Sequence, residues 1–276
     1  MSSSSKPSSS SAPPAILPID ILGDDGGKWR MGKATKLMIA AASGSKRTFD
    51  KVLREGANTD ILNELGFNAM HFAAKASNDN SEVIRELHHQ GLSVRIESNG
   101  GKIDGVMYSE GFTPLHIVEN AASATTLIEL GADPDKFGIS PQGMARGSCV
   151  FMAATSGNAA VLKAMLAAGG TLNPHYCWYA AQQGKASTVK VMLEHGHFNL
   201  AYVKETTIID SILMIGRKYY PYDIKKTTIA QAAYCAGHNK TVRKNCDEII
   251  KMLEEAGAPD ETATAPGKVY GKGYTR

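Results

Sequence analysis

A helix-pair unit that ends at a glycine and recurs along the chain is the feature that most constrains this fold. In three copies a helix-opening residue precedes the terminal glycine by the same 21 positions: Thr35 and Gly56, Ser148 and Gly169, His175 and Gly196. Neither helix of such a unit can bury its apolar stripe alone, whereas stacked copies bury it between them. The repetition therefore predicts an all-α solenoid.

The third copy carries the clearest local signature, Thr113-Pro114-Leu115-His116, followed by Gly131-Ala132-Asp133. A threonine can cap a helix with its hydroxyl, and proline at the first helical position loses no hydrogen bond. From residue 33 to residue 260 the pattern resembles the ankyrin-repeat family. The resemblance implies an all-α ankyrin-repeat solenoid of stacked antiparallel helix pairs with hairpin loops.

The resemblance divides the chain into about six repeats between two tails. The repeats are predicted near 33–65, 66–95, 111–140, 147–173, 174–200 and 227–260, with insertions at 96–110 and 198–226. Residues 1–30 are expected to be a disordered Ser/Pro-rich tail and 261–276 a flexible C-terminal tail, because neither offers enough apolar surface to offset the entropy of ordering. The third repeat is short, since Gly131 follows Thr113 after only 18 positions, and it carries Val118-Glu119 where other repeats have paired alanines.

Composition and charge limit the classes of partner and the cellular locations that the sequence supports. The net charge of +3 and the pI near 8.5 are too mild to indicate nucleic acid, which requires a concentrated basic patch. The apolar stretch 15–22 is too short for a membrane span. A cytoplasmic protein is therefore expected, and the alternative is export into a host cell as an effector, because a Ser-rich start resembles the export signals of bacterial secreted effectors.

Residues of catalytic type are present, but their arrangement indicates no enzyme. The cysteines at 149, 177, 235 and 246 form no CxxC pair, and His175 and Cys177 point to different faces of a helix. His71 and His116 occupy the helix-opening position of the family, where the resemblance implies a structural hydrogen bond. With no nucleotide loop, hydrolase elbow or zinc motif, we predict no catalytic residue, metal, cofactor or small-molecule substrate.

The longest insertion is one of two candidate binding regions. It contains Arg217, Lys218, Tyr219, Tyr220 and Tyr222, and tyrosine and arginine are the residue types that most often supply binding hot spots. The alternative is that the tyrosines cover the side of the fifth repeat, where the regular array is broken, and the basic side chains are simply solvated.

The second candidate region is the extension from Arg95 to Glu110. Gly100-Gly101 is predicted as its turn and 106–108 as a returning strand, which would bring Met107, Tyr108 and Phe112 to the face of the solenoid that meets partners in this family. The alternative is a surface loop without function.

Together these features predict a non-catalytic protein that binds another protein through its concave face and inserted loops. It would act as an adaptor or scaffold, or as a secreted pathogen effector. The alternative is a structural subunit stably incorporated in a larger protein assembly.

Overall fold

The computed structural model of the 276-residue chain describes residues 18–23, 31–103, 106–139, 146–196, 200, 203–205, 226–229, 233 and 242–258. Its helices form two stacked rows. The first-helix row contains α1 (Lys36–Ala42), α3 (Ala69–Ala74), α6 (Cys149–Ser156) and α8 (Pro174–Gln182). The second-helix row contains α2 (Lys46–Arg54), α4 (Ser81–His89), α5 (Ala121–Glu129), α7 (Ala159–Ala167), α9 (Ala186–His195) and α10 (Arg243–Glu255).

Packing follows these rows from one repeat to the next. In the first row α1 lies on α3 and α6 on α8, and in the second row α2, α4, α5, α7, α9 and α10 lie on one another in that order. This is the predicted all-α solenoid, with little sheet. None of the helices within the described residues is both long and apolar enough to cross a membrane.

Local sequence explains where the first helices begin and how closely they pack. Thr35 Oγ1 accepts from the Met38 amide at 3.2 Å to cap α1, and Ser148 Oγ accepts from the Phe151 amide at 3.2 Å to cap α6. Paired alanines such as Ala153-Ala154 are buried in these helices, and their small side chains allow adjacent helices to approach closely. The fifth repeat differs from the prediction, because Asn173 rather than His175 caps α8.

Side chains at the start of the second helices tie each repeat to the one before it. Asn78 donates to the Gly44 carbonyl, Asn120 to the Ser77 carbonyl, Asn158 to the Glu119 carbonyl, Ser187 to the Gly157 carbonyl and Asn245 to the Gly184 carbonyl. Each bond satisfies a carbonyl that follows a first helix or, at Glu119, the turn that replaces one, where the helix or turn itself provides no donor. These bonds fix the stacking register of neighbouring repeats.

Replacing Asn80 by Ala is expected to lower the free energy of unfolding by about 2 kcal/mol. The buried Asn80 amide donates to Ala41 in one repeat at 2.8 Å and to Ala73 in the next at 2.9 Å, so its loss leaves two carbonyls without this donor. Urea denaturation measures the change. The exposed Asn78, with its bond to Gly44, is the matched control, and N78A should cost less than about 1 kcal/mol. Equal losses would contradict the importance of burial.

The third repeat lacks a full first helix. Its Thr-Pro-Leu-His signature forms only a 3-10 turn, Pro114–His116, and the chain then extends until α5 begins at Ala121. The amide of Glu119 donates to Ala74 of the second repeat at 3.2 Å, which draws the extended stretch across the end of α3. The short spacing before Gly131 thus corresponds in the structure to a missing helical turn.

Two hairpins project between repeats. The first finger pairs β1 (Asn99–Ile103) with β2 (Val106–Glu110), and the second finger pairs β3 (Phe137–Ile139) with β4 (Arg146–Ser148). The predicted returning strand at 106–108 lies in β2. The predicted turn at Gly100-Gly101 is wrong, because both glycines lie within β1, where Gly101 pairs with Tyr108. A third pair joins β5 (Val203–Glu205) to β6 (Lys226–Thr228).

Part of the predicted N-terminal tail is also structured. Residues 18–23 pack against the first repeat: Ile19 is buried, Gly23 forms a bridge with Ala34, and Asp20 Oδ1 accepts from the Asn58 amide at 2.9 Å. This segment covers the end of the apolar core, which a terminal repeat would otherwise expose. The predicted boundary at residue 30 therefore differs from the structure over residues 18–23.

Candidate protein-binding surface

The missing turn of the third repeat leaves a cleft in the first-helix row. The cleft has a volume of about 470 Å³ and lies between the end of α3 and the side of α6, with α7 behind it. Its lining comprises Lys75, Ser77, Leu115, His116, Ile117, Val118, Glu119, Cys149, Met152, Ala153, Ser156, Gly157, Asn158, Val161 and Met165. We refer to this feature as the third-repeat cleft.

The third-repeat cleft has an apolar floor and a polar rim. From α6 it receives Cys149, Met152, Ala153 and Ser156, which share one helix face because they are spaced three or four residues apart. Met152 is half-buried and Ser156 is exposed. At the rim the Lys75 ammonium forms an ion pair with the Glu119 carboxylate, so these two charges are already matched. The cleft therefore offers apolar contact without an unpaired charge of its own.

An aromatic cluster lies on the other side of α6. The ring of Phe151 meets Tyr176 and Tyr179 edge-on, with centroids 5.3 and 5.4 Å apart, and His175 lies 4.8 Å from Tyr179. The hydroxyl of Tyr176 lies 3.2 Å from Ser148 Oγ. Both tyrosines are half-buried, so their rings are held in place while part of each faces solvent. Sequence reasoning missed this cluster, although Tyr176 and Tyr179 are spaced to share a helix face.

Glycines at the base of the second finger fix the position of two phenylalanines. Gly138 and Gly147 face each other across β3 and β4. A Cβ on Gly138 would lie 2.5 Å from Phe112 Cδ1, and one on Gly147 would lie 2.4 Å from Phe151 Cδ1. A side chain at either position would clash with a ring at these distances. Because both positions are glycine, the two rings can pack directly against the backbone of the finger.

Exposed apolar side chains occur at equivalent positions of two repeats. Leu62 is 43% exposed and Phe137 is 54% exposed, and each follows the terminal glycine of its repeat by six positions. Phe137 begins the second finger, whose strand β3 lies against β2 of the first. The two fingers therefore form one continuous feature next to the first-helix row.

The predicted binding residues do not all come together. Met107 and Tyr108 lie on β2, where they pair with Lys102 and Gly101. Phe112 is half-buried and stacks on His116, with ring centroids 5.1 Å apart, so much of this ring packs within the structure. The other predicted residues, Arg217, Lys218, Tyr219, Tyr220 and Tyr222, lie outside the described residues.

The two buried histidines bond within their own repeats, and His71 also reaches the next repeat. His71 Nδ1 accepts from the Asn68 amide at 3.4 Å, and its Nε2 donates to the Phe112 carbonyl of the next repeat at 3.0 Å. Burial lowers the pKa of His71 to about 4, against the opposing effect of the Phe112 carbonyl. His116 Nδ1 likewise accepts from the Thr113 amide at 3.0 Å, and burial lowers the pKa of His116 to about 4. Both rings are neutral at pH 7.

The buried thiols do not match the chemistry of a reactive cysteine. Burial raises the pKa of Cys149 and of Cys177 to about 12, so both remain protonated at neutral pH. Among the described residues, no group of three or more His, Cys, Asp and Glu side chains is arranged to hold a metal ion. What the described surface offers is shape and apolar contact.

Part of the repeat array matches a known family. The family model "Ankyrin repeats (3 copies)" matches residues 37–137. The crystal structure of the human ASB11 ankyrin repeat domain superposes with a TM-score of 0.52 over 82% of this chain and 85% of that one, at 17% sequence identity. The similarity to the ASB11 domain is a similarity of fold alone.

A curated relative matches part of the chain. The phosphocholine transferase AnkX of Legionella pneumophila is 27% identical over 106 residues, which is 37% of this chain. The chain spans about a tenth of the length of that protein, since the match covers 10% of it.

Proposed function

We propose that this chain, an ankyrin-repeat protein, binds another protein through its first-helix row, with the third-repeat cleft as the principal contact. The observation that carries the proposal is the reduction of one first helix to the turn Pro114–His116, which opens a cleft of about 470 Å³ with an apolar floor in the described part of the first-helix row. Ankyrin repeats are a protein-interaction fold, and an irregular repeat is where one member of such a family differs from a generic array.

The chemistry of the cleft is that of a hot-spot pocket. Binding energy concentrates where a large side chain enters a well-packed pocket that excludes water, with polar groups around it. Leu115 and Cys149 are fully buried in the floor, Ile117 and Met152 are half-buried, and Lys75 and Glu119 lie at the rim. A partner side chain in the cleft would therefore meet the half-buried Ile117 and Met152 above this floor, with polar groups around it.

The first finger and the long insertion extend this proposed surface. Met107 and Tyr108 on β2 would widen it from one side, with Phe112 supporting the base of the fingers. The basic and tyrosine-rich stretch 217–222 would provide a second contact. The half-exposed Tyr176 and Tyr179 beside α6 join the proposed surface next to the cleft.

The proposed role is that of a non-catalytic adaptor or scaffold in the cytoplasm. The alternative role is that of an exported effector, and the partial match to a Legionella pneumophila protein supports this alternative. The phosphocholine transferase activity in the name of that relative is not proposed for this chain, because the match covers 10% of that protein.

Replacing Ser156 by Trp is expected to weaken partner capture about tenfold or more, because an indole at this rim position blocks the cleft. Ser43 provides the matched control. Each serine donates to the carbonyl three residues earlier, Ser43 to Ala40 and Ser156 to Ala153, and each precedes a glycine with positive φ. Ser43 lies in the first repeat, away from the cleft. The measurement is quantitative mass spectrometry of proteins retained by the immobilised wild type, S43W and S156W.

Proteins retained by the wild type and by S43W but lost from S156W would support the proposal. Thermal midpoints of the two variants within a few degrees of each other show that S156W is folded. Identical sets of retained proteins from all three would remove the third-repeat cleft as the binding site.

A further inference from the structure

We infer that the third-repeat cleft receives an amphipathic helix from an acidic protein partner, which lies along the first-helix row with one large apolar side chain in the cleft. This inference rests on the proposed function and specifies the partner of the same site. Three properties of the cleft carry it: the shape of its walls, the state of its backbone groups and the charge beside it.

The shape follows from the missing turn. First helices on either side have six residues in α3 and eight in α6, whereas the third repeat has a three-residue turn. The vacant space is therefore about one turn of an α-helix, which contains 3.6 residues. Two helices line it: α6 presents the ridge Cys149, Met152, Ala153 and Ser156, and α7 contributes Val161 and Met165. Ridges spaced three and four residues apart match the ridges of another helix.

The backbone around the cleft favours a helix over an extended peptide. A peptide that binds as an added strand needs an open sheet edge with free amide and carbonyl groups. Here the amide of Ile117 is bonded to Pro114 and that of Glu119 to Ala74, and most of the remaining lining belongs to α6, α7 and the turn between them. A helix satisfies its own backbone and needs only apolar contact from the walls. The lining therefore selects a helical occupant.

Charge next to the cleft favours an acidic partner. From residue 146 to residue 196 the chain has four basic side chains, Arg146, Lys163, Lys185 and Lys190, and one acidic side chain, Glu194. Lys185 adjoins the cleft, since a Cβ on Gly157 would lie 3.0 Å from its Cδ. Among the described residues Lys185 has no ion pair, whereas Glu119 is neutralised by Lys75. A carboxylate on the partner helix would complement Lys185 and steer association.

Selection from a displayed library of random peptides, each about sixteen residues and so about four helical turns long, tests this inference. The full chain is the bait, and binders are compared on the wild type, S156W and S43W. We expect binders lost on S156W and retained on S43W to be net acidic, with large apolar residues at positions i, i+3, i+4 and i+7. Their affinity should fall about tenfold with K185E, measured by fluorescence anisotropy of the synthetic peptides.

Three outcomes would overturn the inference: S156W-sensitive binders that are basic, S156W-sensitive binders that are Pro-rich and extended, or a selection that yields no S156W-sensitive binder. These results are separate from a failure of the proposed function. If S156W still abolishes capture of the natural partner but the peptide selection gives any of these three outcomes, the cleft remains the binding site and only the acidic helix is rejected. Capture that is insensitive to S156W would reject both.

Discussion

Lowering the pH from 7 to 4 is expected to remove about 6 kcal/mol from the free energy of unfolding through His71 and His116 alone. Burial lowers the pKa of each ring from 6.5 to about 4 in the folded chain. Since a tenfold change in proton affinity corresponds to about 1.4 kcal/mol, each histidine contributes about 3 kcal/mol. Because a loss of this size approaches the whole stability of a typical domain, the protein should unfold near the lower end of this pH range.

The direction follows from proton binding. The folded-state pKa of each histidine lies below its unfolded value, so between pH 4 and pH 6.5 the unfolded chain binds more protons. The stabilisation is fully present above pH 6.5 and is lost as the pH falls towards 4. When both rings are protonated, their positive charges would also repel each other, because the charge on His116 disfavours a charge on His71.

A variant with both histidines replaced by Gln separates this effect from the titration of carboxylates. The side-chain amide of Gln is neutral throughout and, at position 71, still presents a donor to the Phe112 carbonyl. Urea denaturation at several pH values between 4 and 7 should give a steep dependence for the wild type and a much shallower one for the variant. Parallel curves would show that these histidines do not govern the acid response.

The fold was predictable because its signals are local. A cap such as Thr35 or Ser148 bonds to an amide three residues away, and paired alanines such as Ala153-Ala154 lie next to each other in the chain. Interactions that close within one helical turn leave a pattern that sequence reasoning can recognise. The repeats and the all-α solenoid followed from this pattern.

The candidate site was less predictable because it depends on contacts between repeats. The 18-residue spacing from Thr113 to Gly131 revealed a short repeat, but the place where the missing turn opens a cleft is set by α3 and α6 on either side. Phe112 was expected to contact the partner, yet its ring packs on Gly138, which lies 26 positions later in the chain. The role of Gly138 becomes visible only from its pairing with Gly147 across the second finger. The tyrosines of α8 resembled an ordinary repeat helix until the ring of Phe151 was placed beside them.

The replacement of Phe72 by Ala is expected to lower the free energy of unfolding by about 3–5 kcal/mol, the cost of removing a large side chain from a closed core. Phe72 is 0% exposed, and its helix α3 contacts α1 of the first repeat, α4 of its own repeat and the turn of the third. Phe137 provides the matched control, because the same replacement at a side chain that is 54% exposed should change the stability by less than about 0.5 kcal/mol.

The loss in F72A should also be local, because each repeat of a solenoid contacts only its neighbours and its stability is close to a sum of repeat and interface contributions. With Trp29 replaced by Phe, Trp178 in α8 becomes the sole tryptophan and reports on the fifth repeat, while circular dichroism reports on all helices. In F72A we expect the helical circular dichroism signal to fall at a lower urea concentration than the Trp178 fluorescence. In the chain that retains Phe72, the two unfolding curves should lie closer together. A loss no larger than that of F137A would contradict the core position of Phe72. Coincident curves with an unchanged m-value would instead show that the stacked repeats unfold as one cooperative unit, so that a defect in the second repeat is borne by the whole array.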